Sequence, residues 1–244
     1  MEQERLHFKS RTIHQNEEGF LQGVKDCVPT LLGYLSIGFA AGVVQKTAGL
    51  SMAEITLMCL LLYAGSGQFI AAGMIAASNP ISAIIVTIFF INLRHILMSA
   101  ALAPYFRHLS PWKNMLVGAQ LTDETFGVAI NHLSDKDRAS FKWMIGLNLT
   151  AYLNWLLGNL AGGLLGNWIP NPEAFGLDFA LSGMFIGLLI MQILSQKKYF
   201  VDVMVAMSAI AVVVAVSFIS SGSAGIIIAT IIASTIGMVI EKWR

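Results

Sequence analysis

The stretch ISAIIVTIFFINLRHILMSAALA, Ile81–Ala103, decides the fold: its 23 residues are apolar enough to cross a bilayer, yet Asn92, Arg94 and His95 stand close to its middle. As a helix it would span about 34 Å, with Arg94 about 3 Å from its centre. An arginine at that depth costs about 2.5–3.5 kcal/mol on insertion scales unless it faces protein and finds partners there. This face of the helix therefore looks into a bundle, and a polar path or binding pocket is the first expectation for such an arginine.

The rest of the chain supports a membrane setting. Hydrophobic residues make up 56% of it, charged residues only 12%, and the mean hydropathy is +0.69, which excludes an ordinary soluble domain of 244 residues. A formal net charge of +1 gives no sign of nucleic-acid binding. Cys27 and Cys59 fall at or inside apolar runs, where they act as small hydrophobes rather than as a disulfide. The first apolar run has full span length and many successors, so it reads as a first helix and not as a cleaved signal.

Hydropathy over a span-length window predicts helices at 27–46, 53–77, 80–103, 143–167, 175–195, 200–219 and 222–241. Met115–Asn131 is the ambiguous segment, because Gln120, Thr122, Asp123, Glu124 and Thr125 interrupt it; it spans only if protein covers that polar stripe. The fold class that follows is all-α: a polytopic transmembrane helix bundle of about eight spans, or seven without Met115–Asn131, with interrupted helices near the membrane midplane. Residues 1–26 form a polar cytoplasmic N-terminal segment, 27–241 the transmembrane domain and 242–244 a cytoplasmic C-terminus.

Cytoplasmic loops collect Lys and Arg. Eight spans with the N-terminus inside put eleven such residues inside and three outside (Lys46, Arg107 and Lys113). Seven spans move the four N-terminal charges out and those three in, giving ten to four, so charge hardly separates the two. Both place the C-terminus in the cytoplasm. Trp143 and Trp168, bracketing one span, and Trp112, Tyr199 and Trp243 at other boundaries read as interfacial anchors. A faint echo links Leu31-Leu32-Gly33 and Gly38 with Leu156-Leu157-Gly158 and Gly163, an offset of 125 residues that chance recurrence also explains.

Three constellations carry candidate chemistry. Tyr63-Ala64-Gly65-Ser66-Gly67-Gln68-Phe69 places two glycines, a serine and a glutamine in mid-span. A helix is weak there, and a break exposes N–H and C=O groups able to hold a carboxylate, an ammonium group or an ion. The alternative is close helix packing through small residues, as at Gly38 and Gly42 or Gly158 and Gly162, although Gln68 needs partners that packing does not supply. In Ile81–Ala103, Asn92, His95 and Ser99 share one face with Arg94 about 100° away. Arg94 either contacts substrate or clamps Asp123, Glu124 or helix-end carbonyls, while His95 is a natural proton shuttle. Asp123 and Glu124 are adjacent acids in an apolar segment and serve either as proton carriers or as part of a solvated turn. Ala64-Gly65-Ser66-Gly67 comes near the Gly-x-Ser-Gly of intramembrane serine proteases with His95 as base, but its first glycine is missing; zinc-protease, Walker A and dinucleotide motifs do not occur. No metal or cofactor is expected.

Asp26 with Pro29, the block from Tyr63 to Phe69, Asn92-Leu93-Arg94-His95, Leu121-Thr122-Asp123-Glu124 and Trp143-Met144-Ile145-Gly146 together resemble the AzlC family, the large subunit of branched-chain amino acid exporters. The resemblance implies a bacterial inner-membrane, multi-pass exporter of valine, leucine and isoleucine, not an enzyme, working with a small AzlD-type membrane subunit. It names no catalytic residue. From the residues themselves, Gly65, Ser66, Gly67, Gln68, Asn92 and Arg94 are the expected substrate-binding set, and His95, Asp123 and Glu124 the expected proton-coupling set. A permease subunit of an ATP-driven system is the alternative, and an intramembrane serine hydrolase a remote one.

Overall fold

The computed structural model describes residues 19–168 and 199–218, with scattered positions between 174 and 193 and between 232 and 239. It divides into two units, Met1–Ser182 and Gly183–Arg244. Among the described residues the structure is all-helical: α1 (Phe20–Thr47), α2 (Met52–Leu61), α3 (Gly65–Ala76), α4 (Ile81–Phe106), α5 (Pro111–Ala119), α6 (Asp123–Leu133) and α7 (Phe141–Leu165) in the first unit, and α8 (Tyr199–Ser217) in the second. The expected spans 175–195 and 222–241 lie largely outside the described residues. Helices α1 and α4 are each long and apolar enough to cross a membrane, and α7 has the length to do so, at 25 residues.

Helices α1 and α7 form the spine and run parallel. Phe20 packs on Gly146, Gly38 on Gly158, and Val43 on Gly162 and Gly166. A Cβ on Gly42 would overlap the Asn159 carbonyl, and one on Gly162 would overlap the carbonyl of Phe39. Small residues are needed wherever membrane helices approach to backbone contact. The 125-residue echo therefore falls on two helices whose shared glycines pack against each other.

The two interrupted segments are hairpins that leave on the side they enter. Met52 and Ile55 pack on Gly163 near the far end of α7, and the Tyr152 hydroxyl donates to Leu60 O at 3.2 Å, so α2 descends antiparallel to α7. After Leu62–Ala64 the chain re-forms as α3 and reverses over Ala77–Pro80, where Ser78 adopts φ 56° and the Asn79 N–H donates to Met74 O at 2.9 Å. Helix α4 then runs the full thickness, ending where the Ala139 N–H meets Tyr105 O at 3.1 Å, beside the start of α7. Because α4 ends there, it begins at the opposite face, and α3 must have climbed back to the face where α2 entered.

The second hairpin enters from the other side. Lys113 lies over the Phe141 ring at 5.3 Å, and Asn148 Nδ2 donates to Val117 O at 3.2 Å, so α5 ascends beside α7. Helix α6 starts against Tyr34 and ends with His132 beside Asp26 at 3.5 Å, so it descends along α1. Each half-helix has 9 to 12 residues, or about 14–18 Å, half of a hydrocarbon core of about 30 Å. The two tips therefore meet near mid-membrane. The segment Met115–Asn131, ambiguous in hydropathy, is the second of these tips.

The hairpins also form an inverted repeat. An offset of 59 carries Thr47 to Phe106, Met52 to Pro111 and Met58 to Val117 (106 − 47, 111 − 52 and 117 − 58). Each unit is one long helix followed by a four-residue link and a half-helix pair broken for three residues, at Leu62–Ala64 and at Gln120–Thr122. Two sequence readings change here. Residues 53–77 are not one crossing but a hairpin broken at Leu62–Ala64, which puts Arg107 and Lys113 on the side opposite Lys46. Trp143 is not an interfacial anchor: it is fully buried, its ring stacked on His132 at 4.0 Å with its Nε1 donating to Asp26 at 2.8 Å. Trp112 and Trp168 are exposed, as interfacial rings are.

Candidate functional site

Arg94 occupies the space between the two tips. One guanidinium nitrogen donates to Ser66 Oγ at 2.7 Å, and the other pairs with Asp123 Oδ2 at 2.7 Å. Ser66 lies in the first turn of α3, and Asp123 is the first residue of α6. The positive ends of two half-helix dipoles thus converge on one arginine from opposite membrane faces. Asp123 is well placed at such an N-terminus, worth about 0.3–1 kcal/mol at a surface and up to about 2 kcal/mol when partly buried. The pair is not sealed, since the side chains of Arg94 and Asp123 are 24% and 22% exposed.

The two N-termini are finished differently. Thr122 caps α6 in a reciprocal capping box with Thr125. The Tyr34 hydroxyl ties this end to α1, bonding Thr122 Oγ1 and donating to Glu124 Oε2 at 2.8 Å. Helix α3 has no side-chain cap, so nothing from a side chain meets the first-turn N–H groups around Gly65, Ser66 and Gly67. Gly65 sits against the Trp155 ring, where a Cβ would come within 2.9 Å. Asn92 lies beside Gly67, and its Oδ1 is buried with no hydrogen-bond donor. An uncapped N-terminus, a cation and an isolated acceptor suit a ligand that carries both charges.

Gln68 is spent on the fold. Its Nε2 donates to Leu62 O at 2.7 Å and Met58 O at 3.2 Å, capping the broken end of α2. Its Oε1 accepts from Trp155 Nε1 at 3.0 Å and Gln45 Nε2 at 3.5 Å, and Gln45 also donates to Asn159 at 2.8 Å. His95 is half-buried next to Arg94. Glu124 is held by Tyr34. Ser66 is fully buried and bonded to Arg94, not to His95, so a serine–histidine pair is not assembled. Among the described residues no group of three or more His, Cys, Asp or Glu is placed to hold a metal.

The nine residues singled out in the sequence therefore fall around one point, with Gln68 behind the α2 break and Glu124 behind Tyr34. Sequence reasoning missed Tyr34, Thr122 and Trp155. The Thr122-x-x-Thr125 spacing was a readable cap signal, whereas Tyr34 and Trp155 look like ordinary apolar-span residues.

The AzlC protein family matches residues 29–169. The chain is 30% identical to the inner membrane protein YgaZ of Escherichia coli over 70% of its own length and 72% of that protein's. It is 28% identical to the branched-chain amino acid transport protein AzlC of Bacillus subtilis, covering 81% and 80% of the two chains. An uncharacterized membrane protein of Archaeoglobus fulgidus is 31% identical over 87% and 91%. No solved structure matches. The family match takes in most of α1, both hairpins, Arg94 and all of α7, so the chain belongs to the AzlC family.

Proposed function

We propose that this protein is a membrane transporter that exports branched-chain amino acids, with the zwitterionic head bound between the hairpin tips. The observation that carries the reading is Arg94, held at mid-membrane between two half-helix N-termini in a partly open site. The Bacillus subtilis relative, a branched-chain amino acid transport protein, supports the substrate class.

In this reading the carboxylate takes the place of Asp123 on Arg94 and accepts from the uncapped N–H groups at Gly65–Gly67. The ammonium group donates to Asn92 Oδ1. Gln68 acts as a positioning residue that holds the α2 break open. The aliphatic tail packs on neighbouring apolar side chains. Protonation of Asp123 weakens its hold on Arg94, so binding of substrate and proton are linked there; His95, beside Arg94, relays the proton, and Glu124 holds the α6 tip through Tyr34.

Charge supports the orientation. The end of the first unit that holds the start of α1 carries Lys25, Arg107, Lys113, Lys136, Arg138 and Lys142, against Lys46 at the other, because the re-entrant hairpins bring Arg107 and Lys113 to the N-terminal side. We assign that end to the cytoplasm of a bacterial inner membrane. A small AzlD-type subunit is the proposed partner.

Uptake of labelled valine into inverted vesicles, with and without the small subunit and a proton uncoupler, tests the reading. Accumulation that the uncoupler abolishes supports it; no uptake with both subunits present would refute it.

A further inference from the structure

The inverted repeat supplies an internal comparison. In both hairpins the carbonyl at the equivalent position, Met58 O or Val117 O, accepts from a fully buried side-chain amide, Gln68 or Asn148. Gln68 is satisfied at both ends of its amide. Asn148 is not: its Nδ2 is committed to Val117 O, which fixes the amide orientation, and its Oδ1 is buried with no donor.

Four further amide oxygens share this condition: Gln45 Oε1 and Asn92 Oδ1 on the side of the first hairpin, and Asn114 Oδ1 and Gln120 Oε1 on α5 itself. Asn114, Val117 and Gln120 recur every third residue along the side of α5 that Asn148 reaches. Gln120 is the residue that ends α5, so it lies at the negative end of a half-helix dipole. Ser99 of α4 adds a hydroxyl beside Gly118, its Oγ 3.7 Å from where a Cβ would lie. At the first hairpin the amide oxygen of Gln68 receives donors from Trp155 and Gln45, whereas at the second the amide oxygen of Asn148 receives none.

We propose that the C-terminal end of α5 binds a monovalent alkali cation through Asn148 Oδ1 and Gln120 Oε1, with Asn114 and Ser99 flanking. Neutral amide and hydroxyl oxygens suit such an ion, and none of these four residues is a carboxylate of the kind that divalent cations recruit. Unwound helix ends are where membrane transporters coordinate such ions. Bound there, the cation braces the tip that carries Asp123 three residues on. The site shares no residue with the proposed amino acid site, so one can fail without the other.

The test is thermal unfolding of the purified full chain in NaCl, KCl or choline chloride at equal ionic strength. A saturable rise in Tm of about 3–6 °C at ten times the Kd is expected in NaCl or KCl over choline. Gln120→Ala should abolish the rise and Gln120→Glu, which keeps an oxygen, should retain it. The Arg94→Ala/Asp123→Ala double variant should also retain it. Equal Tm in all three salts, an unchanged response in Gln120→Ala, or loss of the response in the double variant would each overturn the proposal.

Discussion

Removing Arg94 separates its structural role from its functional one. Arg94→Ala leaves Asp123 charged and without its 2.7 Å partner at the tip of α6. Breaking a buried ion pair from one side costs about 3–5 kcal/mol, and the quarter exposure of both side chains keeps the cost near the lower figure, about 3 kcal/mol. For a chain of this size that is a fall in Tm of about 6–12 °C. Arg94→Ala/Asp123→Ala removes both charges, so its Tm should return most of the way to the parent value, while transport stays absent because the carboxylate has lost its cation. Thermal unfolding of the purified variants and valine uptake into inverted vesicles read the two effects separately. Restored uptake in the double variant would show that Arg94 only clamps Asp123, and the reasoning would fail.

Other expectations follow from particular contacts. Gly162→Leu should prevent accumulation of folded protein because it drives α1 off α7, whereas Gly33→Leu, where nothing lies within 4 Å, should be tolerated; fluorescence-detected gel filtration distinguishes them. Gln68→Leu strands Trp155 Nε1, since Met58 O and Leu62 O keep backbone donors from Leu62 and Ala64, so it should cost about 1–3 kcal/mol in unfolding experiments. Asp123→Asn should flatten the pH dependence of efflux, and an identical profile would exclude that carboxylate from proton coupling. With Cys27 and Cys59 buried, cysteines placed at Ser51 and Asn79 should both react with an impermeant thiol reagent from one membrane face and one at Ser110 from the other; labelling of Ser51 and Asn79 from opposite faces would rule out the first hairpin.

The candidate site was more legible in the sequence than the topology. Arg94 in mid-span and the glycines at Gly65 and Gly67 are expensive departures from an apolar helix, so they mark an interior site from composition alone. Direction was not legible. Residues 53–77 hold enough apolar residues for one crossing, and only distant contacts, Met52 with Gly163 and Tyr105 with Ala139, show that the segment turns back. Met115–Asn131 was ambiguous for the same reason, its polar stripe being the tip of a hairpin covered by Tyr34 and Arg94. The inverted repeat shares little sequence beyond Leu50-Ser51 and Leu109-Ser110, too little to see against a leucine-rich background. Trp143 was misread because a buried tryptophan and an interfacial one look alike until Asp26 and His132 are known to face it.

The most direct measurement is binding of leucine and of leucinamide, which lacks the carboxylate, to the purified protein and to Arg94→Ala/Asp123→Ala. Saturable leucine binding to the parent chain alone, with leucinamide failing on both, is the predicted result. Equal binding of leucinamide, or leucine binding to the double variant with unchanged Kd, would contradict a carboxylate site between the two hairpin tips.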